Sequence, residues 1–187
     1  DIVYKPFENP QFKSSGVMPF SHQNYGVFDA LMNQVGANNH TASKPYSYDE
    51  VAKYYDFETV NKAFLKQKES WWGRKLWNEN LVAIQGEEYW FTLNPIFDFR
   101  LGKDTESEAS NTFVNTRGLI VNGGLGKQLT FTTSIYESQG RFADYYNAYA
   151  ESIRPSGGNP AIIPGFGIAK RFKEDAYDFP LAEANIK

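Results

Sequence analysis

Residues 89–104, YWFTLNPIFDFRLGKD, decide how this chain folds. Alternate residues from Phe91 read Phe91, Leu93, Pro95, Phe97, Phe99, Leu101, and the intervening set reads Trp90, Thr92, Asn94, Ile96, Asp98, Arg100. A period of two belongs to a β-strand, whose successive side chains point to opposite faces. One face here is apolar and the other bears an amide, an acid and a base. A soluble sandwich turns such an apolar face onto its core. An outer-membrane barrel turns it to lipid and lines its lumen with the polar set. The alternation is long for a soluble strand, whose length centres on about 5–6 residues, and suits the roughly 9–11 that cross a bilayer when tilted. Tyr89 and Trp90 stand at one end, where an aromatic girdle meets the headgroups.

The pattern recurs. In QLTFTTSIYES (128–138), Leu129, Phe131 and Ile135 oppose Gln128, Thr130, Thr132, Ser134 and Tyr136, with Thr133 and Glu137 as exceptions. In the last segment Ala182, Ala184 and Ile186 oppose Glu183, Asn185 and Lys187; the strand near 114–125 is Gly-rich and its facing stays open. Strands are expected near 89–101, 114–125, 128–137 and 177–187. Their connections run long (102–112), tight (123–127) and very long (138–176), the succession of short periplasmic turns and long extracellular loops in bacterial barrels. Within the last, RFADYYNAYAESI (141–153) has helical spacing and RPSGGNPAIIPGFG (154–167) reads as irregular loop. Four strands are too few to close a barrel, which needs about eight. Open edges in lipid cost several kcal/mol per unsatisfied group, so this reading expects the chain to continue past Lys187.

Upstream the period is helical. NYGVFDALMNQVG (24–36) sets Val27, Leu31 and Val35 on one stripe, and Ser47 with Glu50 is spaced as a capping box. Asp56 opens a helix expected to run through Leu81, with a stripe of Phe57, Val60, Phe64 and Trp71 extended by Leu65, Trp72 and Leu76, and weakened at Gly73. The expected class is therefore mainly β with N-terminal helices: an irregular and helical segment over 1–83, then the first strands, about four, of an antiparallel outer-membrane β-barrel over 84–187. The helical part serves as periplasmic domain or plug. A soluble secreted β-rich carbohydrate-binding domain is the alternative.

Composition narrows function. Over 187 residues the net charge is −3, which offers no basic field to nucleic acid. There is no cysteine, so neither disulfides nor thiolate metal sites form. No apolar run reaches the roughly 18 residues of a membrane-spanning helix. Aromatics make up 17% of the chain although its mean hydropathy is −0.53. His22 and His40 lack the companions a zinc site needs. GGLGKQ (123–128) has Val121 where a phosphate loop has its first glycine, and Gln128 where it has Ser or Thr. The acidic pairs Glu87/Glu88 and Glu106/Glu108 read as solvated charge rather than as glycosidase carboxylates. No catalytic residue, metal or cofactor is expected.

The candidate binding set is Arg141, Tyr145, Tyr146, Tyr149 and Arg154, all in the long loop, as an extracellular contact for glycan or protein. Asn94, Asp98 and Arg100 are expected to face a lumen, Asp98 pairing with Arg100. Trp71, Trp72 and Trp77, beside Arg74 and Lys75, suit sugar stacking or membrane anchoring, but packing of the helix is the favoured account.

Six stretches carry a resemblance: HTASKPYSYDEV (40–51), WWGRKLWNENL (71–81), the opening segment, NTRGL (115–119), SIYESQGRF (134–142) and SIRPSGGNPAIIPG (152–165). Over about 40–187 the chain resembles outer-membrane proteins of the Bacteroidetes, of the Wzi capsule-assembly type or the RemB gliding-motility type. The resemblance implies a barrel in the outer membrane of a Gram-negative bacterium, with a periplasmic or plugging helical part. It further implies non-catalytic binding or assembly of surface polysaccharide, or a role in gliding and cell-surface organisation. The implied partners are outer-membrane lipid, surface polysaccharide and other outer-membrane, gliding or secretion proteins.

Overall fold

The computed structural model describes residues 18, 22–37, 44–107, 110–126, 128–173 and 175–187, without the side chains at 22–24, 58, 61 and 64. His40, Glu108, Lys127 and the side chains of His22 and Phe64 lie outside the described residues.

The alternating segments form strands longer than expected. β1 (Val82–Gln85), β2 (Tyr89–Lys103), β3 (Asn111–Leu125), β4 (Leu129–Arg141), β5 (Ala161–Ile163), β6 (Gly167–Phe172) and β7 (Ala176–Ile186) make one mainly antiparallel sheet, in the order β1-β2-β3-β4-β7-β6-β5. The sheet does not close on itself, so β1 and β5 are its edges among the described residues. Three strands are additions to the expected four. β1 acquires its conformation by pairing, with Val82 opposite Leu93 and Ile84 opposite Phe91. β5 arises inside a Pro- and Gly-rich stretch because β6 folds back on it, setting Ala161 opposite Ala169. In both places tertiary pairing overrides local composition.

The chain packs as two compact units, and the long strands β2, β3, β4 and β7 contribute to both. The first comprises the described residues of Asp1–Asn94 with Val121–Thr133 and Ala184–Lys187. It holds α1 (His22–Met32), α2 (Tyr48–Val51), α3 (Phe57–Phe64) and α4 (Trp71–Trp77). Its helical core is Tyr25, Phe28, Met32, Tyr46 and Val51. The expected α1 stripe is therefore corrected: Val27 and Val35 are exposed, and Tyr25, Phe28 and Met32 face inward. The rings decide this, because Tyr25 stacks on Tyr46 at 5.2 Å and aromatic pairs bury more area than valine. Asp29 fastens the arrangement, accepting from Tyr46 Oη at 2.6 Å and Lys44 Nζ at 2.8 Å. At the start of α2 the Ser47 N–H donates to Glu50 at 3.0 Å.

The single helix expected from Asp56 to Leu81 is two. Asp56 caps α3 through the Thr59 N–H, 3.0 Å, and at Leu65 the backbone turns extended. Asn78, 1% exposed, then clasps Lys66 from across the loop, accepting from its N–H at 2.8 Å and donating to its C=O at 2.6 Å. Ser70 starts α4 by accepting from Gly73 N–H. A Cβ at Gly73 would stand 2.8 Å from Lys68 Cβ, so this glycine serves the close approach of the loop. Packing of the tryptophans is also corrected. Trp71, Trp72, Leu76 and Trp77 are 49–66% exposed. The polar residues turn back on their own loop instead: Arg74 donates to Glu79 and to the Glu69 C=O, and Lys75 to the Asn80 C=O.

The second unit, Pro95–Ile120 with Ser134–Glu183, contains α5 (Asp144–Ser152). Its core joins Ala150, Ala161, Ile163, Ala169, Tyr177 and Phe179, flanked by Val114, Phe142 and Tyr146. Arg171 and the Tyr177 hydroxyl both donate to Glu151, pinning α5 to β6 and β7.

The facing of β3, left open by its glycines, is fixed by its neighbours. Asn122 accepts from Thr132 Oγ1 at 2.8 Å, and Thr116 and Ser138 hydroxyls meet at 2.8 Å. Gly124 lies beneath the Trp90 indole, whereas a Cβ on Gly123 would meet Phe131 and Phe91 at 2.6 and 2.8 Å. Alternation thus places Leu119 and Val121 with the apolar residues of β2 and β4.

Candidate functional site

The sheet buries a row of small hydroxyl side chains, together with Trp90, Tyr177 and Phe179, and exposes a set of apolar ones. Thr92, Thr116, Thr130, Thr132, Ser134 and Ser138 are buried. On the apolar face Phe97 is 62%, Phe99 67%, Leu101 91% and Ile135 64% exposed, and Leu119, Leu125, Leu129 and Ile186 are exposed as well. Val82 and Ile84 of β1 continue that face and are exposed too. A soluble sheet buries its phenylalanines and wets its threonines. All described strands belong to one sheet, so among the described residues no second sheet covers the apolar face.

The strands meet in short turns at one end. Gly86 lies between β1 and β2, where its N–H donates to the Tyr89 C=O, and Gly126 follows β3 and donates to the Glu88 C=O. At their other end a cleft of about 430 Å³ opens, wholly within the second unit. It is walled by the end of β2 (Arg100–Asp104), the start of β3 (Thr112–Val114), and the passage from β4 into α5 (Arg141–Ala143, Tyr145, Tyr146). Ser107 Oγ donates to Asp144 at 3.0 Å, fastening the β2–β3 loop to the helix.

Each side chain has a distinct setting. Tyr146 stacks obliquely on Phe142 at 4.7 Å, and Phe142 lies 5.8 Å from Phe179, so this wall continues the core. Burial pushes the Tyr146 phenol above its ordinary range, with Tyr145 adding to the effect. Tyr145 itself is 78% exposed. Arg141 spans Asp175 at 2.8 Å and covers the Phe113 ring at 5.6 Å. Arg100 forms a forked pair with Asp98, Nη2 to Oδ2 at 2.6 Å and Nε to the same oxygen at 2.9 Å. That carboxylate raises the Arg100 pKa, although the pair is exposed.

Of the residues singled out in the sequence, the cleft brings together Arg100, Arg141, Tyr145 and Tyr146. Tyr149 and Arg154 are not in its lining: Tyr149 is exposed farther along α5, and Arg154 donates to the Pro160 C=O at 3.1 Å. Asp98 shares the polar face with Arg100. Asn94 lies on that face too, but its amide holds the entry to β1, accepting from Leu81 N–H at 2.9 Å and donating to Asn80 Oδ1 at 2.7 Å. The sequence reading missed Lys103, Asp104 and Thr112 as cleft residues, because a polar run between strands looks like any solvated loop. It missed Glu151 with Tyr177 for another reason: nothing local links residues 26 apart. Among the described residues no group of three His, Asp or Glu gathers as metal ligands. Compared with known protein families, curated proteins and solved structures, the chain matches none.

Proposed function

We propose that this chain forms part of the wall of an outer-membrane β-barrel in a Gram-negative bacterium. There it serves, without catalysis, in binding or assembling surface polysaccharide or in gliding and cell-surface organisation. One observation carries the barrel reading: Phe97, Phe99, Leu101 and Ile135 are exposed while the hydroxyls of Thr130, Thr132, Ser134 and Ser138 are buried. In water this arrangement forfeits roughly 25 cal/mol for every Å² of apolar surface left wet. Against acyl chains it forfeits nothing, and on the buried side Ser138 meets the Thr116 hydroxyl and Thr132 donates to Asn122. The ends fit as well, with tight turns toward the periplasm and the β2–β3 connection, α5, β5 and β6 outside. Because the sheet is open, the barrel needs strands beyond β1–β4 and β7.

The helices preceding β1 act as the periplasmic or plugging part. The surface role rests on the resemblance to Wzi-type and RemB-type proteins and on a cleft among the loops placed outside. That cleft's lining contains a single carboxylate, Asp104, where glycoside hydrolysis uses two. A soluble carbohydrate-binding domain is the weaker reading, since its core would have to include the phenylalanines that stand free.

The test is residence in the membrane. The full-length protein is expected to fractionate with outer membrane. In liposomes containing brominated acyl chains, a tryptophan at position 97 or 99 should be quenched and one at position 132 spared. Recovery from the periplasm without detergent, or equal quenching at all three positions, would refute the proposal.

A further inference from the structure

We infer that the cleft between the end of β2 and α5 is a saccharide subsite for a sugar bearing a carboxylate. This rests on the barrel reading for its extracellular placement, but on its own geometry for its chemistry. The volume, about 430 Å³, takes one or two hexose rings. Tyr145 offers an open aromatic face, 78% exposed, at the first turn of α5. A ring on a helix locked to its surroundings loses little freedom when a flat ligand stacks on it. α5 is locked in this way, through Ser107 with Asp144 at one end and Glu151 with Arg171 and Tyr177 at the other.

Charge favours an acid. Arg100, Lys103 and Arg141 line the cleft against Asp104 alone, in a chain of net charge −3. Arg100 and Arg141 are already matched by Asp98 and Asp175, which orients their guanidinium groups and moderates their field. Lys103 makes no ion pair among the described residues, and it is exposed at the mouth of the cleft. An ammonium on a flexible stem can reach a ligand carboxylate, while the paired arginines keep donors for ring hydroxyls. Asp104 accepts the Glu106 N–H at 3.1 Å, which shapes the loop and leaves its other oxygen for a hydroxyl donor. A neutral sugar would use the ring and the hydrogen bonds but not Lys103.

The experiment is calorimetric titration of the full-length protein in detergent micelles with two probes, tetragalacturonic acid and maltotetraose. Tetragalacturonate should bind at least tenfold more tightly. Lys103→Gln should weaken it at least fivefold and bring the two probes within about twofold of each other. Tyr145→Ala should weaken both probes, and Tyr145→Phe should restore binding, since the ring rather than the hydroxyl is used. Both side chains are at the surface, so circular dichroism and melting should match the parent and exclude misfolding as a cause. Equal affinity for both probes, or indifference to Lys103→Gln and Tyr145→Ala, overturns the inference. Failure of the barrel reading looks different: the protein would leave the membrane fraction while the preference for tetragalacturonate persisted.

Discussion

Phe97 and Phe99 stack on one another at 6.2 Å along a strand that presents both to the outside. In a soluble protein, replacing a 62% exposed side chain by arginine changes stability by only a few tenths of a kcal/mol. Facing lipid, the same change costs about 2–4 kcal/mol near the bilayer midplane. Phe97→Arg should therefore lower the urea midpoint of the protein folded in liposomes, whereas Gln139→Arg, beyond the apolar stretch of β4, should leave it nearly unchanged. Tyr177 offers a pH-dependent counterpart. Burial, then the bond to Glu151, pushes its phenol up to about 12 from an ordinary 10. Both folded and unfolded forms are protonated below pH 10, so the stability is complete there. Between pH 10 and 12 only the unfolded chain loses the proton, and stability falls as pH rises. Alkaline titration should loosen the second unit over that window, read by tyrosine absorbance with circular dichroism. Tyr177→Phe should reduce that dependence, the remainder coming from the raised Tyr136 and Tyr146 phenols of the same unit, while losing one hydrogen bond at neutral pH.

At the scale of elements, α4 is held by Asn78. Its buried amide meets both backbone groups of Lys66, and because the C=O also accepts from the Lys68 N–H at 2.8 Å, Asn78→Ala leaves the Lys66 N–H without its partner at about 1–3 kcal/mol. Amide exchange should accelerate over residues 65–80 and stay unchanged in α1. Gly124 makes a second test. A side chain there collides with the Trp90 indole, and overpacking costs about 1–3 kcal/mol. Gly124→Val should cut the yield of folded protein, and Trp90→Ala in the same chain should restore part of it. These elements also show what was legible beforehand. β2 and β4 were readable because a period of two persists over many residues. β1 and β5 were not, being four and three residues long and existing only by pairing. The break between α3 and α4 was hidden because both halves continue one apolar stripe, and the side chain that separates them is an asparagine 12 residues away from its partner. In the cleft, Tyr145 and Tyr146 were visible as an aromatic cluster, but Lys103 became a neighbour only through the strand ends that the fold brings together.

For the whole molecule, the open sheet and its exposed apolar side chains point to one behaviour in solution. Exposed contiguous apolar surface beyond a few hundred Å² drives association in water, and unpaired strand edges add a template for it. In the second unit Phe97, Phe99, Leu101, Leu119 and Ile135 are exposed, and in the first Val82, Ile84, Leu125, Leu129 and Ile186. Residues 1–187 alone, in plain buffer, should therefore self-associate, and micelles should disperse the assemblies by covering these side chains. Light scattering across the critical micelle concentration distinguishes the two ways such a chain can be held together. Assembly through the apolar face dissolves sharply at that concentration and returns on detergent removal. Assembly through edges β1 and β5 is held by backbone hydrogen bonds, survives mild detergent, and yields to proline in β1, where Ala83→Pro removes an N–H that points away from β2. The apolar side chains far outnumber the few residues at the two edges, so the detergent-sensitive mode should dominate. A monomer in plain buffer at micromolar concentration would mean that the phenylalanines of β2 find cover within the chain, and the lipid-facing account of the sheet would fail with it.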